Sequence, residues 1–140
     1  MTKAYVVEQR SAEARALFLG RDHTVLVSQL VRTELASALA RRIREGAMIQ
    51  FDGARILRAY LAHLRRRYQA VPLTEDIQRT AEELLFRHTL RAADALQVAS
   101  AIVVKRALAA SNLDFRFVSA DRQQATAATA EGIGVVFLRG

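Results

Sequence analysis

Three acidic residues, Glu34, Asp94 and Asp121, stand where local structure gives a carboxylate little to do. Glu34 lies one turn after Val31 and beside Leu35, at the edge of an apolar helical stripe. Its neighbours three and four residues away are Leu30, Val31, Ser37 and Ala38, none of them basic. A charge buried there without a partner is costly; the alternative is a boundary position from which the side chain reaches water. Asp94 sits in the first turn of the most apolar helical stretch, in Leu90-Arg91-Ala92-Ala93-Asp94-Ala95-Leu96-Gln97. A contact with the helix dipole, helped by Arg91, would stabilise it by only about 0.3–1 kcal/mol. Asp121 follows an apolar strand through Ser119-Ala120 and precedes a helix. With Gln124 three residues on it has the form of a capping box, yet the carboxyl ends of strands are also where open α/β sheets bind ligands. If the strands are parallel neighbours, all three acids converge at one end of the sheet. Clustered carboxylates repel unless a hard cation neutralises them, and Mg²⁺ or Mn²⁺ takes such oxygen ligands together with waters and substrate phosphate. The other acids have ordinary accounts: Glu83 has Arg79 and Arg87 one turn away on either side, and Glu75 and Asp76 complement a helix start.

Charge points to the substrate. The 140 residues carry a formal net charge of +7, and only Lys3 and Lys105 are lysine, so nineteen of the twenty-one basic residues are arginine. The guanidinium fork suits phosphate better than the point charge of lysine, which makes nucleic acid the first partner to consider. Arginines that merely solvate helix faces are the plainer account of the same count. An acidic metal pocket inside a basic protein is a coherent design for cutting nucleic acid, with arginine holding the backbone while the metal polarises the phosphate and activates water. The chain has no Cys, which excludes disulfide scaffolds, thiolate zinc sites and cysteine nucleophiles. Lys3 and Glu8 interrupt any secretory leader, and the apolar run Ala95 to Val104 is about half of the ~20 residues a spanning helix needs. A soluble, cytoplasmic protein is expected.

The elements that must position the acids alternate short β-branched runs with longer helical stretches, as in one α/β domain over residues 1–140 with a mostly parallel sheet. Strands are predicted at Thr24–Val27, Ala70–Val71, Phe115–Val118 and Val135–Leu138. Helices are predicted at Ser11–Leu19, from a cap at Ser28 to Gly46, at Phe51–Arg67, from Thr74 to His88, at Arg91–Leu108 and at Arg122–Glu131.

Several segments together resemble one family. Val31-Arg32-Thr33-Glu34-Leu35, Val71-Pro72-Leu73-Thr74, Arg87-His88 with Leu90 to Ala99, and Phe117-Val118-Ser119-Ala120-Asp121-Arg122 are similar, in order and spacing, to the PIN-domain ribonucleases, and within them to VapC-type toxins of toxin–antitoxin pairs. The resemblance implies an α/β/α sandwich with a parallel sheet, Mg²⁺- or Mn²⁺-dependent RNA hydrolysis, a homodimer, and a cognate VapB-type antitoxin. It places Glu34, Asp94 and Asp121 at three of the family's four acidic positions, with Asp94 as principal metal ligand, and Ser119 at an accompanying polar position. Arg87, Arg91 and Arg122 flank these and are candidates for RNA phosphates; His88 reads as a solvent-facing helix-end residue. The family opens with a central strand that ends in the fourth acid. Met1-Thr2-Lys3-Ala4-Tyr5 resembles the helix after that strand, so the first strand and its Asp are expected to be missing. A PIN-like module that binds RNA or an antitoxin without cleaving is the alternative function.

Overall fold

Val- and Phe-rich runs too short for helices build the sheet of the computed structural model, which describes residues 3–7, 23–111 and 113–138. Five strands, β1 (Lys3–Val7), β2 (His23–Ser28), β3 (Gln69–Val71), β4 (Asp114–Ser119) and β5 (Val135–Phe137), lie in the order β3-β2-β1-β4-β5. Every neighbouring pair is parallel. Parallel pairing needs long crossovers, and the helices supply them: α1 (Leu30–Arg44), α2 (Gln50–Arg67), α3 (Glu75–Arg87), α4 (Ala92–Ala107) and α5 (Arg122–Ala130). This is the expected parallel α/β architecture. None of the described helices is long and apolar enough to cross a membrane.

The expectation of a missing central strand is corrected. Lys3–Val7 is that strand, in register from Lys3↔His23 to Val7↔Val27 on one side and from Lys3↔Asp114 to Val7↔Val118 on the other. Aromatic and β-branched residues favour extended backbone over Tyr5-Val6-Val7. The main-chain groups of β2 and β4 that face each other across the gap also require a strand between them. The similarity of Met1–Tyr5 to a following helix therefore does not describe residues 3–5. Glu8, next after β1, and the helix expected at Ser11–Leu19 lie outside the described residues.

The remaining elements fall within two residues of their expected limits, although the N-cap of α1 is Gln29 rather than the expected Ser28 and makes no side-chain cap bond; two other ends are chemically marked. Thr74 Oγ1 accepts from Ile77 N at 3.2 Å and starts α3. Gly46, at φ +76°, ends α1; its N–H bonds Ile43 O at 3.1 Å and the N–H of Ala47 bonds Arg42 O at 2.9 Å, a left-handed cap for which glycine is best suited. The main core joins α3, α4 and β4 through Ile77, Leu84, Val98, Ala99 and Phe117. Burying a side chain such as that of Phe117 typically stabilises by about 1.5–3 kcal/mol. α4, buried from Ala95 to Ile102 apart from Leu96, is the central helix that its composition predicted.

Candidate active site

Strand order dictates where a ligand can enter. From β1 the sheet grows outward through β2 and β3, then the chain crosses back to β4 and β5 on the other side of β1. The reversal opens a crevice at the carboxyl ends of β1 and β4, the usual ligand position in open parallel sheets. β2 ends at Ser28 and runs into α1, which carries Glu34; β4 ends at Ser119 and runs into α5 through Asp121.

Asp121 is the N-cap of α5, its Oδ1 accepting from Gln124 N at 3.0 Å. The other half of a capping box is absent. The Gln124 side chain turns inward, and the N–H of Asp121 donates instead to Ser119 Oγ at 3.0 Å. Ser119 and Gln124 are fully buried and Gln97 is 2% exposed, so their polar atoms must find partners inside the protein. Ser119 Oγ donates to Gln124 Oε1 at 2.8 Å. Gln124 Nε2 donates to Gln97 Oε1 at 2.7 Å and to Asp94 Oδ1 at 3.2 Å. Gln97 Nε2 in turn donates to Glu34 Oε1. One hydrogen-bonded chain thus links residues of β4, α5, α4 and α1, and it touches all three acids.

Glu34 and Asp94 are each half-buried and accept from a buried amide, and Asp94 also lies in the first turn of α4, where the helix dipole favours a carboxylate. Sequence reasoning assigned no role to Gln97 and gave Gln124 only a capping one. The available signal was an amide inside the apolar run Ala95-Leu96-Gln97-Val98-Ala99, on the same helical face as Asp94.

The donors here are oxygens, the type a hard divalent cation takes. Among the described residues no three His, Cys, Asp or Glu side chains form a group that could hold a metal. An all-protein cage therefore does not fit. A cation held by one or two of these carboxylates, with water and substrate phosphate completing its shell, does fit, and that is the usual Mg²⁺ arrangement.

Of the candidate arginines, Arg91 is the exposed N-cap of α4 and Arg122 the exposed first residue of α5. Arg87 is engaged elsewhere. Its guanidinium bonds Glu131 Oε1 at 2.7 Å and lies 4.0 Å from Glu83. His88 corrects the reading of a solvent-facing residue: its side chain is 18% exposed and its Nε2 lies 2.8 Å from Glu131 Oε2. Hydrogen bonds from Arg87 first, then His88, hold the Glu131 carboxyl below its ordinary range, and Glu131 raises Arg87 in return. Nothing local in sequence marks Glu131 as their partner, 43 residues beyond His88.

A family model described as PIN domain matches residues 4–130. No curated protein matches significantly. Several solved structures share the fold over nearly the whole chain, three of which follow. VapBC2 from Rickettsia felis, bound to a DNA fragment from their promoter, is 11% identical with a TM-score of 0.66, over 96% of this chain and 98% of that one. VapBC-1 from nontypeable Haemophilus influenzae is 10% identical with a TM-score of 0.62, over 96% and 97%. FitAcB from Neisseria gonorrhoeae is 15% identical with a TM-score of 0.60, over 96% and 96%.

Proposed function

The chain belongs to the PIN domain family, and from that premise we propose that it is a metal-dependent endoribonuclease, the toxin of a type II toxin–antitoxin pair, acting in the cytoplasm. The observation that carries this reading is the hydrogen-bonded chain that ties Glu34, Asp94 and Asp121 together at the carboxyl end of a parallel sheet.

In this reading Asp94 would be the principal ligand of Mg²⁺ or Mn²⁺, with one of Glu34 and Asp121 as a second ligand and the other orienting the attacking water. A bound cation supplies Lewis acidity toward the scissile phosphate and lowers the pKa of its water. Ser119 acts from behind the site by fixing both the Asp121 backbone and the Gln124 amide. Arg91 and Arg122, exposed at the starts of the helices that carry or follow the acids, contact RNA phosphates, where charge-assisted bonds are strong. A VapB-type antitoxin as partner is supported by the VapBC assemblies that share the fold. Self-association as a homodimer is supported by Leu85 and the almost fully exposed Phe86 on α3.

The test is RNA cleavage with Mn²⁺ or Mg²⁺ by wild type and Asp94→Asn. Metal-dependent cleavage lost in the variant supports the reading; equal activity in both removes Asp94 from the mechanism. The second reading is a module that binds RNA or an antitoxin without cutting. Salt-sensitive RNA binding with no metal-dependent cleavage, even at high protein concentration, selects it.

A further inference from the structure

We infer that Gln97 and Gln124 are positioning residues, a buried amide relay that sets the orientation of the Glu34 and Asp94 carboxylates toward a divalent cation. The inference rests on the metal-dependent reading above and deepens it.

An amide has two faces, donor and acceptor, and in this chain every face is committed in one sense. The Asp121 N–H donates to Ser119, Ser119 to Gln124, Gln124 to Gln97 and Asp94, and Gln97 to Glu34. Gln124 Nε2 has two hydrogens, and both are used, one on Gln97 Oε1 and one on Asp94, at Oδ1 (3.2 Å) and at the main-chain O (3.4 Å). Reversing Gln124 would aim its oxygen at the Asp94 carboxylate. Reversing Gln97 would aim its oxygen at Glu34 and its NH₂ at the NH₂ of Gln124. An ionised carboxylate accepts and cannot donate, so the two acids lock both amides, and the amides in turn fix one oxygen of each acid.

The means is chemically specific. An amide satisfies a carboxylate lone pair without cancelling its charge, whereas an arginine or lysine in the same place would compete with a cation for it. The relay is also out of water, since Gln97, Gln124 and Ser119 are buried. Its geometry is therefore set by the fold rather than by solvent, as the supporting shell of a metal site requires. Four elements contribute to it, so the relay also fixes α1 and α5 relative to α4 at the site.

The test measures Mn²⁺ binding to the purified full chain without RNA, by titration calorimetry or by the electron paramagnetic resonance signal of free Mn²⁺, for wild type, Gln97→Met, Gln124→Met and the double variant. Thr80→Val is the control, because it deletes a buried hydroxyl whose bond, to Asp76 O at 2.8 Å, stays within α3. Loss of partners behind metal ligands typically costs about 10- to 100-fold in affinity or activity. Each Met variant should therefore weaken Mn²⁺ binding by about tenfold or more, the double variant should be little worse than either single one, and kcat for RNA should fall with KM nearly unchanged. Thr80→Val should lower the melting temperature and leave Mn²⁺ affinity as in wild type. Wild-type affinity in both Met variants overturns the positioning role while the metal-dependent reading stands. A wild-type chain that neither binds Mn²⁺ nor cleaves RNA overturns that reading and, with it, this inference.

Discussion

Two regions of the molecule bring different donors to their carboxylates. At the carboxyl end of the sheet, Glu34 and Asp94 accept from the neutral amides of Gln97 and Gln124. At the far end of α5, roughly 15 Å along the helix from Asp121 at 1.5 Å per residue, Glu131 is gripped by Arg87 and by His88. A neutral amide fills a lone pair and adds no charge of its own, whereas the Arg87 guanidinium offsets the charge of Glu131. The first arrangement suits a site that must recruit a cation, and the second suits a joint between the end of α3 and the end of α5.

The largest expected effect separates the two regions directly. Asp94→Asn removes a charge from the amide-held region and should reduce Mn²⁺-dependent RNA cleavage by about 100-fold or more, at least the upper end of what loss of an outer-shell partner costs. Glu131→Gln removes a charge from the cation-held region and should leave cleavage unchanged. If the two variants lose activity equally, the functional division between the regions is broken.

Stability sharpens the comparison next. Leaving buried polar groups unsatisfied costs about 1–3 kcal/mol. Gln124→Met should therefore destabilise the chain by about that amount in urea unfolding, because Ser119 loses its acceptor, and Gln97 and Asp94 lose a donor. Gln78→Met, at an exposed position of α3, should change stability by less than about 0.5 kcal/mol. A smaller and different signal is expected from the arginines beside the amide-held acids. Arg91→Ala and Arg122→Ala should each lower the salt slope of RNA binding by about 1 and weaken binding without regard to sequence. An unchanged slope takes that arginine out of the phosphate contact.

The same contrast governs how much was legible in the sequence. Glu34 could be singled out because it has no basic residue within a turn, Asp94 because it stands at the start of the most apolar helix, and Asp121 because it follows a strand; parallel strands then carried Glu34 and Asp121 to one end of the sheet. Helix ends were legible wherever one residue decides them, as Thr74 and Gly46 do. The amide relay was not legible. A buried glutamine is defined by partners on other elements, and Gln97 meets Glu34 63 residues away while Gln124 meets Asp94 30 residues away. Glu131 was hidden for the same reason. The central strand was misread because a local likeness of Met1–Tyr5 to a helix was given more weight than the unpaired edges that β2 and β4 would present without β1. Non-local pairing decided that segment.

The smallest effect tests the cation-held region alone. Glu131 is held below its ordinary carboxyl range by Arg87 and His88, so in the folded chain it releases its proton more readily than when unfolded. Such a group contributes stability that is fully present above the unfolded value and is lost as pH falls through the folded one. Wild type should therefore melt above Glu131→Gln at pH 6, and the gap should close as pH drops below about 4.5, the ordinary value for this carboxyl. Salt should narrow the gap at pH 6 as well, because the Arg87 side chain is half exposed and surface pairs are screened. A gap that stays constant down to pH 3 would mean that Glu131 acts through packing at the end of α5, and the distinction between a carboxylate held by a guanidinium and carboxylates that accept from amides would then lose its electrostatic half.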